Sequence, residues 1–333
     1  MPLSLDPQTL PLLEKGNNLL AFSAGVDSSA LCFLLLERGI SFDIALVNYQ
    51  LRPQSQSEEA YALELANEHG FQAHISHAPP FQGNFEKKAR DFRYAFFDRL
   101  MQQEGYQHLI TAHQLNDQLE WLLMRLSKGA GAVELVGLDP ISQRKEYQLL
   151  RPILHHTKEE LETYLKERGE HYFIDESNYD LHYERNWFRQ QLATQLIQRH
   201  QAGIRRSFTY LREDKQLLQQ SYHLCYHHQE FYLIKLELPS IKVRVVDRYL
   251  KRLGYLLSRA QRQELKQNKS MVIGGVWVIE VVGNDLFIAP YVKEVVMPKN
   301  YKEACRKARI PPKVRGYLYQ EGIDPKSVVS RSS

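Results

Sequence analysis

The first chemistry that this chain offers comes from six consecutive, mostly small residues: Ser23, Ala24, Gly25, Val26, Asp27 and Ser28. The apolar run before them, 19–22, has the character of a strand, and the run after them, 30–36, that of a helix. A loop with little side-chain bulk lets backbone N–H groups close around an anion, and the helix dipole strengthens the attraction. The segment predicts a phosphate-binding loop, although a strand-to-helix turn without a ligand would have similar residues.

A second polar segment follows an apolar strand pattern at 108–112. It holds an imidazole and two carboxylates, those of His113, Asp117 and Glu120. Steps of four and three residues place these groups on one face of a helix. Such a set suits Mg²⁺, an amine or both, because Mg²⁺ takes one or two carboxylates together with phosphate oxygens. Acidic residues that only complement the helix dipole would give the same pattern.

Alternating strand and helix patterns position both segments. Strands are expected at 19–22, 42–49, 72–76 and 108–112, and helices at 29–38, 55–69, 84–103, 116–127 and 157–168. Capping boxes are expected at Ser55 with Glu58 and at Thr157 with Glu160. Repeated units of this length predict an α/β fold with a doubly wound, mostly parallel sheet. Both polar segments begin at carboxyl ends of strands, where such sheets bind ligands.

The character of the chain changes near residue 201. A helix is expected at 205–226, followed by strands at 231–236 and 271–282 with two short helices between them. This pattern predicts a second, smaller α+β domain. The expected organisation is therefore a catalytic domain at 1–200, an α+β domain at 205–292 and a basic tail at 293–333.

The composition excludes several classes of protein. The 333 residues are 43% hydrophobic and 25% charged, with a formal charge of +4, which is typical of a globular protein. Neither a secretory signal nor a membrane-length apolar run is present, so a cytoplasmic location is expected. The three cysteines are far apart, which disfavours zinc and iron–sulfur sites. The cluster of His223, Cys225, His227 and His228 does not converge on one face of the expected helix.

The two polar segments resemble the motifs of a known superfamily. Residues 23–28 are similar to the S-G-G-x-D-S loop of the ATP pyrophosphatases, with Ala24 where glycine is usual. Residues 113–121 resemble the H-x-x-D-D-Q-x-E-T motif of one branch, the tRNA(Ile)-lysidine synthetases. Here Asn116 replaces the first Asp, and Trp121 replaces the Thr. Further segments follow in the family's order and cover most of 17–195: 48–52, 89–94, 129–131, 137–138, 150–154 and 175–189.

The resemblance implies a fold and a reaction. The fold would be the Rossmann-like PP-loop ATPase fold, and the enzyme a ligase that forms a C–N bond. ATP would adenylylate the C2 oxygen of the wobble cytidine in an isoleucine tRNA with a CAU anticodon, releasing pyrophosphate. The ε-amine of free L-lysine would then displace AMP, changing codon reading from AUG to AUA. ATP and Mg²⁺ are the implied cofactors.

The resemblance also implies roles for individual residues. ATP would be held by the six-residue loop together with His113 and Arg93, and Mg²⁺ by Asp27 and Asp117. The catalytic carboxylates would be Asp27, Asp117 and Glu120, of which the last two would bind the lysine ammonium or accept its proton. Three arginines, Arg151, Arg185 and Arg189, are candidates for contacts with the substrates, and ordinary surface arginines would be equally compatible with the sequence. The segment 205–292 would bind tRNA, and 293–333 would be a shortened C-terminal domain.

Two other functions fit the same residues. Another tRNA-modifying PP-loop enzyme is one, although the thiolases of this superfamily commonly need paired cysteines. A catalytically inactive tRNA-binding paralogue is the other, because Ala24 and Asn116 depart from the motifs. The sequence does not determine the oligomeric state, and a homodimer is compatible with it.

Overall fold

The computed structural model describes residues 3–51, 53–144, 146–174 and 184–329. The chain divides into two compact units, Met1–Lys215 and Gln216–Ser333. The boundary expected at 200–205 falls inside one long helix, Thr194–Gln220, which is kinked at His200 where φ is −135°. The helix expected at 205–226 therefore begins earlier, at Thr194, and ends earlier, at Gln220. The three-segment domain organisation itself stays a prediction.

The first unit is built on a six-stranded sheet. Its strands are β1 (Asn18–Ala21), β2 (Asp43–Asn48), β3 (Ala73–His77), β4 (His108–Ile110), β5 (Ile141–Gln143) and β6 (Gln148–Leu150). The order is β3-β2-β1-β4-β6-β5, and every pair is parallel except β5 with β6. The predicted doubly wound, mostly parallel sheet is confirmed. Its strand order reverses between β1 and β4, so the two polar segments leave the sheet side by side.

Helices cover both faces of this sheet. They are α1 (Leu10–Lys15), α2 (Val26–Glu37), α3 (Gln54–His69), α4 (Phe85–Gln103), α5 (Leu115–Ser127), α6 (Ala132–Leu135), α7 (Lys158–Arg168), α8 (Glu184–Phe188) and α9 (Thr194–Gln220), with a π-helical turn at Arg189–Ala193. Neighbouring residues of β1 point to opposite faces. Leu20 packs in the cluster that contains α2 and α7, whereas Leu19 packs with α4. Helices α2 and α5 follow β1 and β4, so their N-termini lie at the strand ends that carry the candidate site.

The two predicted capping boxes differ in outcome. The Thr157 side chain caps α7, and Glu160 returns the hydrogen bond, as predicted. At α3 the prediction is wrong, because the helix begins earlier, at Gln54 after Pro53, and no side chain caps it. Gln54 instead donates to Glu58, 2.9 Å away.

The second unit has an antiparallel sheet. Its strands are β7 (Tyr222–His228), β8 (Phe231–Leu236), β9 (Ser270–Ile273), β10 (Trp277–Val282) and β11 (Asp285–Pro290), in the order β7-β8-β11-β10-β9. Its helices are α10 (Lys242–Arg252), α11 (Arg259–Gln267), α12 (Lys299–Lys307), α13 (Pro312–Gln320) and α14 (Pro325–Val329), with a 3₁₀ turn at Pro239–Ile241. The predicted smaller α+β domain is confirmed.

Alternation along β8 explains how both faces of this sheet are buried. Tyr232 and Ile234 pack with α10 and α11, whereas Phe231 and Leu233 pack with α12, α13 and α14. The tail expected at 293–333 therefore includes three helices whose apolar residues join the core of the second unit.

Two expectations for the second unit are wrong. Residues 222–226, expected to end a helix, belong to β7, and 271–282 holds a hairpin of two strands. The cluster of His223, Cys225, His227 and His228 consequently lies on a strand. Among the described residues, no group of three or more potential ligands is placed to hold a metal ion. None of the helices in the described part of the chain is long and apolar enough to cross a membrane.

Candidate active site

The loop between β1 and α2 is held in shape from both sides. The Ser28 hydroxyl accepts a hydrogen bond from the Ser23 N–H at 3.2 Å and donates to the Gly25 carbonyl at 3.2 Å. On the other side, the Phe173 N–H donates to the Ala24 carbonyl at 2.9 Å. The Val26 side chain is buried in the core as α2 begins. The loop is therefore preorganised, with the N-terminus of α2 behind it.

Ala24 adopts the left-handed backbone conformation that its family position usually gives to glycine. Its φ is +56°, and its side chain is fully buried. A Cβ in this region is strained by about 1–2 kcal/mol, whereas burial of the methyl group recovers about 0.8 kcal/mol. The alanine is thus tolerated at a positive φ, a conformation that glycine adopts without strain.

Substitutions of Ala24 should show which side chains this backbone conformation accepts. We expect Ala24→Gly to change the free energy of unfolding by less than about 1 kcal/mol, because relief of strain offsets the lost methyl contact and the added chain entropy. Ala24→Val should destabilise by several times as much, because a β-branched residue is a steric outlier at positive φ. Urea denaturation of both variants measures this difference, and equal stabilities would contradict it.

Asp27 has a carboxylate oxygen that lacks a partner in the part of the chain that the structure describes. It lies in the first turn of α2, and its Oδ1 is buried without a hydrogen bond in the described structure. Burial, followed by the nearby charge of Asp117, raises the pKa of Asp27 to about 7, although Lys158 and Arg189 oppose the shift. A buried, unpaired carboxylate is costly unless a cation or donor completes it.

A cavity of about 390 Å³ opens beside this carboxylate. One side is the loop, with Ser23, Gly25, Asp27 and Ser28, and the rest of the lining includes Tyr49, Glu58, Arg90, Arg93, Tyr94, Phe97, Thr111, His113 and Phe173. Backbone donors, arginines and aromatic rings around one cavity suit a nucleotide, which has both phosphates and a flat base.

Arginines and aromatic rings on α4 and nearby strands are paired at the cavity. The Arg93 Nε donates to the Tyr49 hydroxyl at 2.9 Å. The Tyr94 ring lies within 4.8 Å of the Arg90 guanidinium and 4.3 Å of the Arg144 guanidinium. Sequence reasoning selected Arg93 but missed Arg90 and Tyr94, although all three lie in the segment 89–94 that resembles a family motif.

His113 closes the β4 side of the cavity. Its Nδ1 lies 2.9 Å from the Thr111 hydroxyl. Burial lowers the pKa of His113 to about 4, against an opposing effect of Asp117. The imidazole is therefore neutral at pH 7, which suits a hydrogen bond to a nucleotide better than a charge contact with phosphate.

Two carboxylates of α5 form a cluster with two arginines, one on α8 and one in the π-helical turn after it. Asp117 Oδ1 accepts from the Arg185 guanidinium, and its Oδ2 accepts from the Gln114 N–H at 3.0 Å. Glu120, with a side chain only 1% exposed, accepts from Arg185 Nε at 2.8 Å and from Arg189 Nε at 2.7 Å. Every carboxylate oxygen of this cluster consequently has a donor.

The electrostatics of the cluster favour the ionised form of Asp117. Burial by itself raises the pKa of Asp117, but Arg185, His113 and the Gln114 N–H together outweigh it, and the pKa is lowered. The two arginines are one helical turn apart, and their side chains are 44% and 25% exposed. Each arginine therefore contacts a buried carboxylate and is also partly accessible to solvent.

In the described part of the chain, Arg151 belongs neither to the lining of the cavity nor to the cluster of Asp117 and Glu120, whose four residues also lie outside that lining. It is buried, and its Nη1 donates to the Asp139 carbonyl at 2.7 Å and the Ser142 hydroxyl at 2.8 Å. It does not line the cavity among the described residues, and its Nε has no partner there. Arg52 and the predicted motif at 175–183 lie outside the described residues.

The fold and loop define a class, and comparisons with known proteins agree. The family model of the PP-loop domain matches residues 6–196. A solved U34-tRNA thiolase from Methanococcus maripaludis has a similar fold, with a TM-score of 0.51 and 18% identity over 63% of this chain and 76% of that chain. The chain is therefore a PP-loop protein.

Curated relatives define the branch. A tRNA(Ile)-lysidine synthase of Campylobacter jejuni (strain RM1221) is 42% identical over 98% of this chain and 99% of that protein. Synthases of Wolinella succinogenes and Helicobacter pylori (strain ATCC 700392 / 26695) are 44% and 40% identical, over 94% and 93% of this chain and 95% and 91% of theirs. The chain belongs to the tRNA(Ile)-lysidine synthase family.

Proposed function

We propose that this chain attaches the ε-amine of free L-lysine to C2 of the wobble cytidine in a CAU-anticodon isoleucine tRNA, with ATP as the activating substrate. The supporting observation is the Asp27 Oδ1, which is buried and has no partner among the described residues, beside a preorganised loop in a cavity of nucleotide size. Near-full-length relatives with this activity in their names support the choice of reaction.

The loop and the arginines of α4 would have different roles in the use of ATP. Backbone N–H groups at 23–28 and the α2 dipole would hold the pyrophosphate portion. Arg90 and Arg93 line the cavity and would stabilise the charge that develops as pyrophosphate leaves. The outcome for the RNA is an adenylylated C2 oxygen, which makes AMP the leaving group when an amine attacks.

Magnesium fits this site only together with the nucleotide. Asp27 offers a buried oxygen that no described residue contacts by a hydrogen bond, whereas both oxygens of Asp117 already have donors. A site with one clear carboxylate ligand is typical of Mg²⁺ that is held mainly by phosphates. Asp27 is therefore the better of the two predicted ligands, and bound Mg²⁺ would neutralise phosphate charge.

Asp117 and Glu120 are proposed to anchor the lysine. A general base must take up a proton near the working pH, and the low pKa of Asp117 makes it unsuited to that role. An ionised Asp117 suits an ammonium group instead. Arg185 and Arg189 would have to release them, and RNA phosphates are an alternative partner for these exposed guanidinium groups.

Incorporation of labelled lysine tests the proposal directly. The purified chain would be incubated with ATP, Mg²⁺, labelled lysine and an unmodified isoleucine tRNA transcript with a CAU anticodon. Label should enter this RNA only with ATP present, and should not enter methionine tRNA with the same anticodon. Asp27→Ala should abolish labelling, and a wild-type chain that binds the RNA without labelling it would overturn the proposal.

Gly25→Ala separates the function of the loop from its folding. The φ of Gly25 is −82°, and an added Cβ would approach no atom closer than 3.5 Å. The fold therefore has room for alanine, and the free energy of unfolding should change by no more than about 0.5 kcal/mol. We expect the KM for ATP to rise at least about tenfold, because the methyl group would occupy space beside the phosphates. An unchanged KM would contradict a close approach of ATP to this backbone.

A further inference from the structure

A stacked pair of side chains on α5 carries an inference that rests on the proposed function. The Arg125 guanidinium lies 4.2 Å from the centroid of the Trp121 ring, one helical turn away. We propose that Arg125, held flat by Trp121, is a stacking platform for an unpaired base of the substrate RNA. Trp121 is then a positioning residue, and Arg125 is the residue that touches the RNA.

The indole is fixed by the glycine-rich segment after α5. Trp121 Nε1 donates to the Glu134 carbonyl at 3.0 Å. The ring also lies against Gly137, where an added Cβ would overlap the indole. Gly137 is therefore required by the close approach of the tryptophan. A ring anchored on backbone gives the arginine stacked on it a defined plane.

Arg125 has its hydrogen-bonding capacity available. It is exposed, and no carboxylate of the described chain forms an ion pair with it. Arg168 provides the contrast: it stacks on Tyr164 at 4.0 Å, but its Nε is bonded to Glu37 at 2.5 Å. An arginine that is ordered by stacking and lacks an anionic partner is suited to a ligand with a π face and negative charge.

The position of Trp121 and Arg125 near Glu120 indicates that this ligand is RNA. Trp121 directly follows Glu120, and five residues of α-helix separate Glu120 from Arg125 by about 7.5 Å along the axis. Single-stranded RNA is read by stacking of its splayed bases on aromatic rings or guanidinium planes. A base flanking the modified cytidine in the anticodon loop has the required chemistry and lies within one or two nucleotides of the reaction.

The experiment separates the contribution of the flat Arg125 guanidinium from that of its positive charge. Arg125→Ala removes both, and Arg125→Lys keeps only the charge. Arg38→Ala, at another exposed arginine of the same unit, is the matched control. Base stacking contributes about 1–3 kcal/mol, so Arg125→Ala should raise the Kd for the isoleucine tRNA by about fivefold or more. Arg125→Lys should lose most of the same affinity, and Arg38→Ala less than twofold.

Fluorescence of the RNA tests stacking itself, because its response would not depend on Arg125 if this residue only stabilised the fold. 2-Aminopurine placed next to the wobble position should change its emission on binding to the wild type but not to Arg125→Lys. The kcat at saturating RNA and the KM for ATP should stay unchanged in both variants. Wild-type affinity in Arg125→Lys, or an unchanged Kd in Arg125→Ala, would overturn the inference. If the wild type binds this RNA but adds no lysine, and Arg125→Ala still weakens binding, the platform stands and the proposed reaction fails.

Discussion

Asp27→Asn should abolish pyrophosphate release from ATP while making the folded protein more stable above neutral pH. The substitution preserves the shape of the side chain and removes the charge that a bound cation requires. We expect RNA-dependent pyrophosphate release to fall at least about 10³-fold, because the activation step depends on this site.

The stability change follows from the raised pKa. The unfolded carboxyl ionises near 3.8 and the folded one near 7. The unfolded state therefore loses its proton first, and this residue lowers the stability of the wild type progressively between pH 4 and pH 7. The effect is at most on the order of 4 kcal/mol. Asparagine does not titrate, so the advantage of the variant should be small at pH 4 and full above pH 7.

Urea denaturation at pH 5 and pH 8 would measure this advantage. Other titrating groups are shared by the two proteins and cancel in the difference to a first approximation. Asp91→Asn, at an exposed position of α4, is the control for loss of one negative charge. An Asp27→Asn protein that is active, or one whose relative stability falls as the pH rises, would show that Asp27 is not a buried carboxylate that awaits a cation.

The sequence was informative wherever a local pattern determines structure. Strands β1 to β4 follow from apolar runs punctuated by glycine, and the phosphate loop follows from small residues at a strand end. Strand β7 was misread because its polar residues, including His223, His227 and His228, have no helix-breaking signal before them. Pairing with β8 determines its conformation, and such tertiary pairing overrides weak local preference.

The candidate site was only partly predictable for a related reason. Spacing places Asp117 and Glu120 on one face of a helix, but it does not say what lies opposite. Their partner Arg185 is 65 residues from Glu120 in sequence, and only the tertiary fold brings it there. Arg90 was missed because the orientation of α4 on the sheet decides which of its arginines line the cavity.

Glu120→Gln should abolish transfer of lysine and also destabilise the fold. The carboxylate accepts three hydrogen bonds from Arg185 and Arg189, and an amide would turn an N–H₂ group toward a guanidinium. Loss of one partner of a buried ion pair costs about 3–5 kcal/mol. Because both arginines are partly exposed, we expect a loss nearer 2 kcal/mol, measured by urea denaturation.

A neighbouring glutamate provides the control. Glu184 pairs with Lys128 at 2.6 Å, but both side chains are 52% exposed. Exposed pairs contribute about 0–1 kcal/mol, so Glu184→Gln should change the stability and the lysine transfer little. Equal effects of the two substitutions would mean that burial of Glu120 is not what makes it important.

The double variant Glu120→Gln with Arg185→Gln separates the two functions of Glu120. Removal of Arg185 takes away one of the two cations that the amide cannot satisfy, so part of the lost stability should return. Lysine transfer should stay lost if Glu120 anchors the substrate ammonium, because no charge is restored to the site. Recovery of transfer together with stability would mean that Glu120 serves only to hold Arg185, and that the lysine binds elsewhere. The lysine KM, measured at saturating ATP and RNA, is the quantity that distinguishes these two results.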